Sequence, residues 1–203
     1  MHLAESEKER MVTYYFRGMN SNAYPNEYSI IVPSSKVPTY DSKPEMSALE
    51  IVKEFEKVIN KDEYNFILIN FANPDMVAHS GNIKATIKAI ECVDRCLGEV
   101  VRESIERKGT VIITADHGNA EELLTFPSDT YYYTSEKGEV NTDHSNNPVP
   151  VLIISKRLKG HIKRILRGTL SDVAPTICAI MKLTVPVEMQ GRDLLDTGEI
   201  ANG

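Results

Sequence analysis

The sequence predicts an α/β protein with a mostly parallel sheet flanked by helices, and three observations carry that expectation. Residues 64–71 form a nearly continuous apolar run, and 110–114 form a second, so both read as buried strands, the first covered on both faces. Residues 45–60 and 83–105 repeat their apolar side chains at three- and four-residue steps, the signature of amphipathic helices. Strand and helix alternate along the chain, which calls for parallel crossovers with helices on the sheet faces.

Taken in order, residues 11–16 are rich in β-branched and aromatic side chains and predict a strand. A loop broken by Gly18, Asn20, Asn22, Pro25 and Asn26 follows, then a short strand from Ser29 to Val32 stopped by Pro33. Pro44 opens a helix whose inner face is Ala48, Ile51, Val52, Phe55, Val58 and Ile59. After Gly81 a long helix is expected from Ile83, Ile87, Ile90, Val93, Leu97, Val101 and Ile105. Gly109 fits the left-handed position past its end, and Gly98 within it marks close packing or a bend. The polar segment 121–143, with Tyr131, Tyr132 and Tyr133, reads as a functional loop or small hairpin. A strand over 149–154 and a helix from 171 to 182, capped by Ser171 with Pro175 in its first turn, complete the chain.

Composition narrows the function. A chain of 203 residues with 41% hydrophobic content can bury one core, so a single domain over 1–203 is expected. A net charge of -6 and a pI near 5.4 argue against a nucleic-acid surface, so any phosphate contact must be local. Cys92, Cys96 and Cys178 are odd in number and read as small core residues of a reducing, cytoplasmic protein. No segment approaches the roughly 20 apolar residues of a membrane helix, and residues 1–8 lack the plan of a signal peptide.

The chemistry gathers at strand ends. Asp116 and His117 follow the strand 110–114, and Gly118 gives the loop backbone freedom to turn both one way. Asp75 and His79 stand four residues apart, so one helical turn puts both on one side. His144 belongs to the same set, beyond the carboxyl ends where ligands of α/β sheets bind. Carboxylate with imidazole suits Zn²⁺, Mn²⁺ or Fe²⁺. His2 and His161 have no such setting and read as surface residues, and Lys8, in a Glu-rich run, reads from pattern alone as solvated.

These residues fall in runs that resemble one family. Residues 3–8, 32–34, 36–37, 40–41, 43–48, 69–77 with His79, 113–121, and His144 with 147–150, together with 171–176 and 189–191, are similar to the carboxyl-terminal part of cofactor-independent (2,3-bisphosphoglycerate-independent) phosphoglycerate mutases, of the alkaline phosphatase superfamily. The resemblance implies an alkaline-phosphatase-like but incomplete domain and an isomerase of glycolysis and gluconeogenesis. That family interconverts 3-phosphoglycerate and 2-phosphoglycerate through a phosphoserine. It implies two divalent metals, manganese first and Mg²⁺, Zn²⁺ or Co²⁺ as alternatives, with no organic cofactor. Asp75, His79 and His144 would hold one ion, Asp116 and His117 would contribute to the other, and Lys8 would contact the substrate phosphate. The nucleophilic serine, a further metal-binding aspartate and most of a substrate-holding domain lie outside the matched part. Ser6, Ser34, Ser35 and Ser80 are poor substitutes for that serine. Met11 and Ser29 stand where the family usually has histidine and arginine. The expectation is a chain inactive alone, from a family that is monomeric when intact, and complemented by the segment it lacks. Two other readings stay open: a metal-dependent phosphatase or phosphodiesterase of the same superfamily, and a non-catalytic metal- or partner-binding chain.

Overall fold

The centre of the main sheet is a strand that the apolar pattern does not announce. In the computed structural model, which describes residues 1–125, 138–160, 165 and 167–196, His2–Glu5 (β1) lies between two parallel neighbours, Ser29–Val32 (β2) and Leu68–Ile69 (β3). Register sets His2 opposite Ser29 and Leu68, and Leu3 opposite Ile30 and Ile69. All of β1 is buried, as the middle strand of a parallel sheet must be. His2 is therefore not a surface residue: its Nδ1 lies 3.4 Å from Glu27 Oε1 and its ring edge meets Phe16. Burial pushes its imidazole pKa down, against the opposing pull of Glu27.

Ala48–Ile59 (α1) covers this sheet with the face the periodicity predicts, burying Ala48, Ile51, Val52, Phe55 and Val58. Asn73–Ala78 (α2) is a short helix with Pro74 in its first turn, and Ile83–Glu106 (α3) is capped by Asn82, whose side chain accepts from the Ala85 N–H. α3 buries a different stripe from the expected one. Ala85, Thr86, Ala89, Cys92, Val93, Cys96 and Val100 face inward, while Ile83, Ile87 and Ile90 are exposed. Small side chains let α1 and α2 approach α3 closely. The two buried cysteines are free thiols in this stripe, and burial, with Cys92 beside it, pushes Cys96 up to about 12.

The second half is built differently. Thr110–Thr114 (β4) is followed by a small hairpin, Leu124–Thr125 (β5) and Glu139–Val140 (β6), and then by Val151–Ser155 (β7), which pairs with β4 in antiparallel register. Parallel order thus holds for the first sheet and not for this pair, whose antiparallel register has the β5–β6 pair between its strands and, among the described residues, no crossover helix. α3 packs on both α1 and β4, bridging the two halves. Leu170–Asp172 forms a 3₁₀ turn that runs into Val173–Met181 (α4). Thr169, not Ser171, caps it, with the Asp172 carboxylate accepting the Thr169 N–H at 2.7 Å. Pro175 sits in the first turn of α4, as expected.

Other local expectations change for identifiable reasons. Residues 11–16 form no strand: Met11–Tyr15 is a single π-helical turn, held by Thr13 Oγ1 on the Glu9 carbonyl at 2.7 Å. The connection from β1 to β2 overrides β-propensity there. The run 64–71 pairs only at Leu68–Ile69 and is half-buried or exposed along its length, not covered on both faces. Past α3 the left-handed residue is Lys108, at φ 61°. Gly109 instead provides space, since a Cβ there would lie 2.9 Å from the Ser104 carbonyl oxygen. At Gly98 a Cβ would meet nothing within 4 Å, so neither close packing nor contact explains it. The hairpin expectation for 121–143 is met by β5 and β6, whereas Tyr131, Tyr132, Tyr133 and His161 lie outside the described residues.

Candidate metal and phosphate site

Three strand ends and one loop deliver the chemistry. Lys8 closes the 3₁₀ turn that continues β1. Asp75 lies in the first turn of α2, just past β3, and His79 is its C-cap. Asp116 and His117 follow β4. His144 comes from the loop after β6, which is tied to the β4 loop by an antiparallel bridge between Gly118 and Ser145, with the Ser145 N–H donating to Gly118 O at 2.8 Å.

Asp75 is the point of convergence. Its Oδ2 takes the Lys8 ammonium at 2.6 Å. Its Oδ1 accepts from Asn119 Nδ2 at 2.8 Å and faces His79 Nε2 at 3.2 Å and His144 Nε2 at 3.3 Å. Burial alone would raise the Asp75 carboxyl. The hydrogen bonds from Lys8 and Asn119, with the Lys8 and His79 charges, outweigh it and hold the pKa below the usual range. Lys8 is not the solvated residue its Glu-rich context suggests, since its side chain is 13% exposed in this ion pair.

The histidines form a stack around that carboxylate. The His117 and His144 rings lie 3.6 Å apart and nearly parallel, and the His79 ring is 5.4 Å from His144. Ligand atoms of Asp75, His117 and His144 all fall within 4.8 Å of one another. Asp116 stands at the rim: its side chain is 64% exposed, with Oδ2 3.5 Å from His117 Nε2. Five of the six residues singled out in the sequence are therefore drawn together, and Asp116 touches the group through His117. A carboxylate with several imidazoles is a donor set that fits a borderline divalent ion. The buried Asn119 Oδ1, with no hydrogen-bond partner among the described residues, is a further polar atom left over at the same place.

Sequence reasoning missed the residues that hold this arrangement. Asn119 is 4% exposed and joins Asp75 to the β4 loop. Glu121 accepts from the Asn119 N–H at 3.0 Å, from Asn147 Nδ2 at 3.2 Å and from the Ser145 hydroxyl. Gly118 is needed for space and not for a left-handed turn: it is not among the residues with positive φ, and a Cβ there would collide with Glu121 Oε1 and Ser145 Oγ. The only signal was position, since Asn119 and Glu121 follow Asp116-His117 directly. The hydroxyls of Ser6, Ser34, Ser35 and Ser80 are all engaged, accepting from Ser34 N–H and Glu7 N–H, pairing with Lys43, and donating to Val77 O respectively.

A parallel sheet that supplies Lys8, Asp75 and His79, beside an antiparallel pair and hairpin loop that supply Asp116, His117 and His144, defines a metal-site α/β protein. Residues 1–185 match the Metalloenzyme superfamily, and the chain belongs to that family. It is 45% identical over 196 residues to a 2,3-bisphosphoglycerate-independent phosphoglycerate mutase of Thermomicrobium roseum, covering 96% of this chain and 36% of the relative. A mutase of the same name from Clostridium perfringens is 44% identical, with 97% and 36% covered. The fold superposes on a crystal structure of Leishmania mexicana phosphoglycerate mutase at low cobalt concentration, with a TM-score of 0.80, 29% identity, and 95% and 36% of the two chains covered. The chain thus spans about a third of the length of the relatives it matches. Family membership implies a divalent metal site. No helix of the described residues is long and apolar enough to cross a membrane.

Proposed function

We propose that these 203 residues are the metal- and phosphate-binding portion, the C-terminal part of a phosphatase-type domain, of a cofactor-independent phosphoglycerate mutase. The whole enzyme would interconvert 3-phosphoglycerate and 2-phosphoglycerate. The observation that carries this reading is the convergence of Lys8, His79, His117 and His144 on Asp75 or on one another, from separate segments of the chain. Asp75, His79 and His144 would hold one divalent ion, and Asp116 with His117 would contribute to a second. Manganese is the leading choice. His144 borders both groups, because its ring stacks on His117 while its Nε2 faces Asp75. When bound, such ions neutralise phosphoryl oxygens and lower the pKa of an attacking hydroxyl.

The chain's own residues do the rest. Lys8 holds a positive charge and hydrogen-bond donors beside Asp75, where an anionic phosphoryl oxygen would be recognised. Asn119 keeps Asp75 turned toward the imidazoles. The nucleophilic serine would come from sequence outside these residues, a reading supported by the engagement of Ser6, Ser34, Ser35 and Ser80. The reaction belongs in the cytoplasm, with phosphoglycerate as partner, and the net charge of -6 supports the exclusion of nucleic acid.

The test is an assay of the purified 203-residue chain with Mn²⁺ and 3-phosphoglycerate. No 2-phosphoglycerate should form until a separately expressed polypeptide carrying the rest of a relative is added. Turnover by the chain alone would contradict the assignment.

A further inference from the structure

One carboxylate outside the ligand set touches both the His117 loop and the His144 loop, and reaches Asp75 through Asn119. Glu121 Oε2 accepts the Asn119 N–H at 3.0 Å, and the Asn119 side chain in turn donates to Asp75 Oδ1 at 2.8 Å. Glu121 Oε1 accepts from the Ser145 hydroxyl, next to His144, and from Asn147 Nδ2 at 3.2 Å. The same oxygen lies against Gly118, next to His117, so closely that no Cβ would fit. A backbone bridge between Gly118 and Ser145 aligns the two loops, but a bridge fixes only their main chains. Side-chain aim depends on what holds the flanking groups, and hydrogen bonds to an ionised carboxylate are the stronger kind.

We infer that Glu121 is the positioning residue of the metal site: its carboxylate sets the separation of the His117 and His144 loops and locks Asn119 against Asp75. The inference rests on the metal-site reading above and adds a residue to it. Glu121 touches no ligand directly, so it acts through Asn119, Gly118 and Ser145. Groups hydrogen-bonded directly to a metal ligand, as Asn119 is to Asp75, typically cost about 10- to 100-fold in metal affinity when their bond is lost, and removing Glu121 releases that tie together with both flanking loops. Glu122 is the internal control. It carries the same charge one position on, yet among the described residues its carboxylate is bonded to Asn147 Nδ2 alone, at 3.4 Å.

The experiment is a Mn²⁺ titration of the 203-residue chain, followed by calorimetry and by the electron paramagnetic resonance of the bound ion. Glu121→Ala, Glu121→Gln and Glu122→Ala are compared with the unsubstituted chain. Glu121→Ala should weaken binding by about 10- to 100-fold and alter the bound-ion spectrum. Glu121→Gln keeps one acceptor oxygen and should recover part of both, whereas Glu122→Ala should match the unsubstituted chain. Thermal melts without metal separate aim from folding. A lowered melting temperature in Glu121→Ala with an unchanged Mn²⁺ affinity and spectrum for the folded fraction would overturn the inference. So would equal losses in Glu121→Ala and Glu122→Ala. If the unsubstituted chain binds no Mn²⁺, the metal-site reading falls and takes this inference with it; if it binds and Glu121→Ala binds equally, only the inference falls.

Discussion

The two halves of the molecule are buried to different depths. In the first, β1 is covered on all sides, α1 drives Phe55 and Ile51 into the core, and Cys92 and Cys96 seal the contact with α3. In the second, β4 and β7 pair only with each other among the described residues, and neither strand has a fully buried residue. The site draws on both: Lys8, Asp75 and His79 come from the buried half, and His117 and His144 from the open one. The cluster is therefore a seam between the two halves. Its rigid side is set by core packing, and its other side depends on a few polar ties, Asn119 on Asp75 and Glu121 on both loops.

The contrast can be broken most severely at Phe55. Phe55→Ala removes a side chain 2% exposed at the centre of the main core and should cost about 3–5 kcal/mol in urea unfolding. Ile112→Ala, on half-buried β4, should cost about 1–2 kcal/mol. Equal losses would mean that the halves are not differently packed.

A charge inside the buried half sharpens the same contrast. Glu5 is 0% exposed, and its Oε1 has no hydrogen-bond partner among the described residues while Oε2 takes the Ser47 N–H at 3.3 Å. Burial raises its carboxyl above the usual range, with Ser34 and Ser47 opposing. The folded chain therefore holds this proton more tightly than the unfolded chain. Glu5's contribution is most favourable below about pH 4.5 and declines as pH rises through the raised value. Glu5→Gln should lack that decline, so its stability relative to the parent should grow between about pH 4 and 8 in urea melts. A constant difference across that range would show that Glu5 does not titrate abnormally.

The smallest effect lies on the outer face of α3. Gly98→Ala adds a methyl into open space at a helical position and should stabilise by about 0.5–1 kcal/mol. Destabilisation in a thermal melt would reveal a contact at that position that the fold does not account for.

Much of the fold was legible because burial and period agree. α1 shows its inner face in the order the spacing requires, and β2, β4 and β7 stand close to where their apolar runs place them. β1 was hidden because two of its four residues are His2 and Glu5, polar side chains whose burial depends on partners distant in sequence. The α3 stripe was misread because Ala and Cys weigh less than Ile in any apolar pattern, although close helix contact favours the smaller side chains. At the site, ligand-type residues at strand ends could be seen from residue type and spacing. Asn119 and Glu121 could not, since a polar loop residue is silent until the loop opposite it is known.

If Asp75 organises a divalent-metal site from both halves, the Mn²⁺ content measured by equilibrium dialysis should differ between the 203-residue chain and Asp75→Asn, which keeps the shape and removes the charge. Retention of Mn²⁺ by the parent and its loss in Asp75→Asn is the predicted result. Equal Mn²⁺ in both, or none in the parent, would contradict it.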